Sequence, residues 1–475
     1  MAPNKIKITF SKSEPKDKKI GLVSLRKEKD NSVFILSSGQ KSIVIGVPEP
    51  EKITRRKLIL LTRQAIVLAK QNKIKRIAIR LADFGFRHLR LGDRNLAELL
   101  ATNFEMANFE FVKYKTPPPE GWNFVEEVVV VGESAADVRK GFEIGQIVGG
   151  EVNACRVLAN TPGGDMTPRI LGEEAKKAAK GTKIRVKVLG KSEIQRLKMG
   201  GVLGVARGSA EKPTFIILEY WGAKKSEKPV VLVGKGVTFD SGGLNLKPSK
   251  YISEGMHLDM SGGAAVIHSV VLAAKLRFKK NVIGLVPAAE NMVSGSSYRP
   301  GDVLRTMSGK TIEIGNTDAE GRVILADALT YAKRYDPRLV VDVATLTGLA
   351  MLTFGAHASA LLTRDGKLEK LFRELGEESG DYVWPLPMWE EYESEIKGTF
   401  GDVFNTNAKT DYGGTITGAM FLYQFVKDSA ASSGQVYSWV HIDMAPRMTA
   451  AEGEYLTKGA AGAPVRLLIK LLERY

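Results

Sequence analysis

The chain has 475 residues, 44% of them hydrophobic and 26% charged, which is the composition of a folded globular protein with room for two domains. Its single cysteine, Cys155, excludes an intrachain disulfide framework and cysteine-rich zinc sites, and reads as a buried thiol. The net charge of +16 sits mainly in residues 1–120, where 25 Lys and Arg face 12 Asp and Glu; the lysines are scattered without interleaved aromatics, so a solvated basic surface is favoured over a nucleic-acid contact.

In chain order, MAPNKIKITFSKSEPKDKK has lysines but neither an apolar core nor a small-residue cleavage site, so no signal peptide is expected and the protein is placed in the cytoplasm. No apolar stretch approaches the roughly 20 residues of a bilayer helix, so no membrane partner is expected. The short apolar runs VFILS, SIVIGV, RIAIRL and EEVVVVG alternate with ITRRKLILLTRQAIVLAKQ, whose apolar residues recur at helical spacing. They predict an α/β domain. KTPPPEGWN (115–123) is a Pro-rich loop before the last of its strands. ADVRKGFEIGQIVGGEVNACRVLAN (136–160) predicts a long helix bridging two domains, divided at 1–150 and 151–475.

From about residue 165, RVKVLG, TFIILEY, PVVLVG, NVIGLVPA and RLVVDVATL read as strands buried on both faces. SGGAAVIHSVVLAAKLRF and GRVILADALTYAKRY supply helices between them. The expected fold is α/β: a smaller N-terminal α/β domain followed by a larger, catalytic domain whose mostly parallel, twisted sheet is sandwiched by helices. Ligand sites in such sheets form at the carboxyl ends of the strands.

The five histidines form no H-E-x-x-H, no G-x-S-x-G elbow is present, and GKT at 309–311 lacks the Walker glycine because position 304 is Leu. Hydrolytic chemistry is therefore left to carboxylates, lysines and arginines. PVVLVGKGVTFDSGGLNLK (229–247) carries Lys235, Asp240 and Lys247, EGMHLDMSGG (254–263) carries Asp259, and KTIEIGNTDAEGR (310–322) carries Asp318, Glu320 and Arg322. If the last segment is extended, Asp318 and Glu320 point to one side. Gly321 is then expected to let the backbone turn tightly. Four carboxylates in one pocket need cationic compensation. Lys and Arg would give a structural ion network; two divalent metals bridged by Asp and Glu at roughly 3.5–4 Å would give a hydrolase. The glycine-rich loops around three such clusters favour the metals. On residue chemistry alone, Lys235 reads as an ammonium paired to Asp240, Lys247 as a solvated loop lysine, and Arg322 as a partner of Glu320.

VGKGVTFDSGGLNLKPS, DMSGGAA, NTDAEGRVILADAL and ATLTG, in this order, closely resemble the leucyl aminopeptidase family of di-metal, hexameric, cytosolic exopeptidases. NTPGGDMTP, WVHIDMAP and YLTKGAAGAPVRLL extend the resemblance over about residues 150–475. It implies a metal-dependent aminopeptidase acting on peptides with a free N-terminus, as a homohexamer. Lys235, Asp240, Asp259 and Glu320 would hold one ion, and Asp240, Asp318 and Glu320 the other, with the Asp318 carbonyl as a further ligand. Zn or Mn is expected, and the donors also suit Mg or Co. Lys247 would be the catalytic lysine that stabilises the oxyanion, and Arg322 would hold a bicarbonate that moves protons. Met256, Thr345, Ala445 and Met448 align with the pocket for the first residue, suited to Leu or Met. The stretch 247–259 is one residue longer than in familiar members. A different two-metal hydrolase, such as a phosphoesterase, is disfavoured by the missing histidine ligands and by the full motif set.

Overall fold

The structure, a computed structural model, describes residues 5–132, 135–408, 410, 412–427 and 437–475. The chain divides into two compact units, Met1–Ala154 with Ala450–Lys458, and Cys155–Thr449 with Gly459–Tyr475. The division falls inside the helix Ala136–Asn160.

In the first unit a six-stranded sheet has the order Lys7–Ser11, Glu127–Val131, Arg76–Arg80, Ile20–Arg26, Lys41–Gly46, Ser32–Ile35. Its neighbours are parallel except for the edge strand Ser32–Ile35, which returns antiparallel to Lys41–Gly46. β-branched runs such as EVVVV suit these half-buried and buried positions. The helix Arg55–Gln71 starts at Thr54, whose side chain accepts from the Lys57 N–H, and buries Leu58, Leu61, Ala65, Ile66 and Ala69 on one face.

The second unit is built on a nine-stranded sheet. Its path runs Val383–Pro385, Ser359–Leu362, Ser438–Asp443, Leu339–Ala344, Val230–Gly234, Asn281–Asn291, Thr214–Trp221, Arg185–Leu189, and Gly236–Asp240 pairs with the end of Asn281–Asn291. The four central strands are parallel and the antiparallel pairings lie toward the edges. VVLVG and LVVDVA are buried at every position, because helices cover both faces. Glu320–Ala332 and Gly414–Lys427 pack with Val231 and Val233 on one face. On the other, Val266 and Val270 of Ser261–Lys275 close on Gly284.

One helical stretch, Met256–Lys275, does have the length and apolarity to cross a membrane, contrary to the sequence expectation, and 89% of its 18-residue apolar window is buried inside the protein. Its apolarity is that of a core helix packed against the sheet. The strands Val230–Gly234, Gly236–Asp240, Leu339–Ala344 and Ser438–Asp443 run parallel and end on one side, where Asp240 closes its strand; NTDAEGR follows Thr311–Glu313, in a separate three-stranded sheet with Val303–Arg305 and Val403–Phe404.

Candidate active site

Lys235 sits in the break between Val230–Gly234 and Gly236–Asp240, held at its backbone by Val343 O (3.0 Å) and the Gly263 N–H (2.7 Å). Its Nζ donates to Thr345 O at 3.0 Å and lies 2.8 Å from Asp259 Oδ2 and 2.7 Å from Glu320 Oε1. The partners expected from charge alone were different: Lys235 pairs with Asp259 and Glu320, and it is Lys247 that reaches Asp240 Oδ2 (3.0 Å) and Asp318 Oδ1 (2.5 Å). Lys247 is therefore no solvated loop lysine. Asp240 Oδ1 also accepts from the Gly242 N–H (2.9 Å) and from Asn291 Nδ2 (2.8 Å).

The loop after Asp240 can close this tightly because Gly242 (φ +89°) and Gly243 (φ +65°) adopt left-handed backbone. A Cβ at Gly242 would also stand 2.4 Å from Asn245 O and 2.9 Å from Asp318 Oδ1. Thr317 ties this loop to NTDAEGR: its hydroxyl donates to Gly242 O (2.7 Å) and its N–H to Asn245 Oδ1 (2.9 Å). Its carbonyl accepts from Asn291 Nδ2 (2.9 Å) and from the Tyr298 hydroxyl (2.7 Å).

NTDAEGR is not extended. Asp318 lies in a turn and Glu320 is the first residue of the helix Glu320–Ala332, so the two carboxylates converge through a turn into a helix rather than by strand alternation. The helix N-terminus adds a favourable field for Glu320. Gly321 is helical, and its role differs from the expected tight turn. A Cβ there would stand 2.6 Å from Lys235 Cε and 2.7 Å from Nζ, so glycine clears the space that Lys235 fills.

Arg322 is buried, and its Nε and Nη1 meet no hydrogen-bond partner among the described residues. The ion pair with Glu320 belongs to Lys235 instead. Burial pushes the Arg322 guanidinium down to about 10, against the pull of Glu320 and Asp443.

Asp259 lies in the 3₁₀ turn Met256–Met260, and its Oδ1 accepts from the Thr345 hydroxyl at 2.6 Å. Thr345 thus touches two members of the cluster. Met256 opens the turn that carries Asp259; Ala445 begins the turn Ala445–Arg447 beyond Ser438–Asp443, and Met448 closes it. Ligand oxygens of Asp240, Asp318 and Glu320 lie within 4.8 Å of one another. Burial, then the charges of Asp240 and Glu320, push Asp318 up to about 7. Burial works against the charges of Lys235 and Lys247 too, but the surrounding carboxylates outweigh it and raise both ammonium groups.

Asn291, Thr317 and Tyr298, which support the cluster, escape the sequence reading. The one available signal is a polar Asn closing the otherwise apolar run NVIGLVPAAEN.

The family model for the catalytic domain of cytosol aminopeptidases matches residues 153–469. The chain belongs to the cytosol aminopeptidase family. It is an aminopeptidase, a peptidase hydrolase. A probable cytosol aminopeptidase of Chlorobaculum tepidum is 46% identical over 74% of this chain and 68% of its own length. One of Geobacter sulfurreducens is 42% identical over 79% of this chain and 74% of its own. Among solved structures, a mutant of tomato leucine aminopeptidase superposes with a TM-score of 0.86 at 27% identity, covering 100% of this chain and 97% of that one. The bottromycin maturation enzyme BotP, in complex with Mn, gives a TM-score of 0.83 at 29% identity, covering 95% of this chain and 98% of that one.

Proposed function

We propose that this cytosol aminopeptidase uses two divalent metal ions to release N-terminal residues, preferably Leu or another apolar residue, from peptides with a free amino terminus. The observation that carries this reading is the cage itself: Asp240, Asp318 and Glu320 with ligand oxygens within 4.8 Å, and Asp259 joined to them across Lys235. The donor set fits cations. Asp259 Oδ2, Asp318 Oδ1 and Glu320 Oε1 are buried and, among the described residues, are met by the Nζ atoms of Lys235 and Lys247, as buried carboxylate oxygens require a cationic partner.

Lys235, Asp240, Asp259 and Glu320 would hold one ion, and Asp240, Asp318 and Glu320 the other, with the Asp318 carbonyl as a further donor. Zn or Mn suits this set, as do Mg and Co. Bound ions supply a water of lowered pKa and polarise the scissile carbonyl. Lys235 would serve as a neutral amine, giving up its proton to become a donor. Lys247, anchored between Asp240 and Asp318, would keep its ammonium and stabilise the oxyanion of the tetrahedral intermediate. Arg322, whose buried Nε and Nη1 make no hydrogen bond among the described residues, would hold bicarbonate and orient it for proton transfer from water to the leaving amine. Met256, Thr345, Ala445 and Met448 would receive the first side chain.

The family's name supports a cytoplasmic location. The family resemblance supports a homohexamer, for which the exposed Leu352 and Phe400 of the catalytic unit offer apolar surface. The nucleic-acid alternative draws no support from the structure, where basic residues of the first unit such as Arg76 and Arg80 are paired with Asp17, Glu127 and Glu14.

The test is leucine release from a leucyl peptide after loading with Mn or Zn, wild type against Asp318→Ala. The variant is expected to be inactive; full activity in it would sink the assignment.

A further inference from the structure

Behind the cage, the sheet carries buried charges that this reading leaves unused. Ser438–Asp443 runs parallel to Leu339–Ala344, with Asp342 opposite His441 and Ala344 opposite Asp443. Asp342, His441 and Asp443 are fully buried. Asp342 Oδ2 accepts the Trp439 indole N–H at 2.7 Å, and Oδ1 meets His441 Nδ1 at 2.5 Å. Burial alone would favour a neutral imidazole, but Asp342 and Asp443 outweigh it and raise the pKa of His441.

Asp443 is engaged differently. Its Oδ1 accepts the N–H groups of Leu346 (3.1 Å) and Ala445 (3.2 Å), and its Oδ2 accepts the Thr347 hydroxyl at 2.6 Å. Residues 345–347 therefore have the Asp443 carboxylate on one side and the cage on the other, where Thr345 holds Lys235 through its carbonyl and Asp259 through its hydroxyl. Asp443 also exerts a charge interaction on Arg322. Hydrogen bonds to a carboxylate in a dry interior are stronger than neutral ones, so this contact fixes the segment more firmly than apolar packing would.

We propose that Asp443 is a positioning residue for peptide hydrolysis: its carboxylate pins residues 345–347, and through them Lys235 and Asp259. His441, locked by Asp342 and flanked by Trp439, holds the strand beneath it. The inference rests on the metal-cage reading above.

Asp443→Asn, Thr347→Val and the double variant of the Mn-loaded enzyme test it through kcat, KM, bound Mn and thermal melting. A displacement approaching 1 Å at a reacting centre costs about 100-fold in rate, so kcat of Asp443→Asn is expected to fall roughly 10- to 100-fold, with Mn retained and KM nearly unchanged. Thr347→Val is expected to lose less, and the double variant to be no slower than Asp443→Asn, because both act through one segment. Wild-type kcat in Asp443→Asn, additive losses, or activity lost only in step with bound Mn or folded protein would overturn the proposal. If Asp443→Asn does not fold, Thr347→Val decides: a lowered kcat with Mn retained supports the proposal, and a wild-type kcat overturns it. Asp318→Ala is measured alongside. Full activity there rejects the cage reading itself, whereas an inactive Asp318→Ala beside a fully active Asp443→Asn rejects this inference alone.

Discussion

Gly321→Ala separates the needs of the cage from those of the backbone. Gly321 is the second residue of Glu320–Ala332, a position where alanine is the better helix former by about 1 kcal/mol. The helix itself has no use for glycine there. A Cβ would stand 2.6 Å from Lys235 Cε, and since ordinary carbon contacts begin near 3.5 Å, the end of Lys235 must retreat by roughly 0.9 Å. That end is held at 3.0 Å by Thr345 O, at 2.8 Å by Asp259 and at 2.7 Å by Glu320, so it cannot move without breaking at least one of these contacts. A misplacement of about 1 Å costs roughly 100-fold in rate. The variant is therefore expected to fold but to melt below the metal-loaded wild type, to retain less than two metal ions per chain, and to release leucine about 100-fold more slowly. Metal analysis of gel-filtered protein, thermal melting and kcat/KM on a leucyl peptide provide the readouts. Wild-type metal content and activity in a folded variant would refute the idea that glycine is present to admit Lys235. A variant that fails to fold would refute the claim that the helix tolerates alanine.

Glu105, buried in the first unit, accepts from the Ile6 N–H and from Gln146, yet burial pushes its pKa from 4.5 up to about 7. The folded state thus binds this proton more tightly than the unfolded chain, and stability falls as pH rises from about 4.5 to 7, by up to roughly 3 kcal/mol. Glu105→Gln should flatten the pH dependence of the melting temperature and melt higher than wild type at pH 8; an unchanged slope contradicts this. Arg322→Met should keep its metal and KM while kcat falls about 100-fold or more, and an undiminished kcat would remove Arg322 from the chemistry. Chelation should abolish leucine release and lower the melting temperature at pH 8, with both restored by Mn or Zn; unchanged melting would argue against ions bound in the buried cage.

Much of the catalytic unit is legible locally. VVLVG and LVVDVA announce strands buried on both faces, and the glycines beside Asp240 announce a backbone that turns where few residues can. The apolar stretch of Met256–Lys275 illustrates the limit: its membrane-like hydropathy is explained only by the sheet and helices packed around it.

The sequence by itself pointed to most element types and to Asp240, Asp259, Asp318 and Glu320 as carboxylates that converge, because these depend on periodicity and on residue chemistry within short segments. It did not determine who pairs with whom. Lys235 meets Glu320, Arg322 keeps N–H groups without hydrogen bonds among the described residues, and Asp443 supports Thr347 from 96 residues away. These contacts exist because Leu339–Ala344 lies between Val230–Gly234 and Ser438–Asp443, which brings residues 235, 345 and 443 to one end of the sheet. Strand order is a long-range outcome of packing, and electrostatic partnership follows distance in space rather than along the chain.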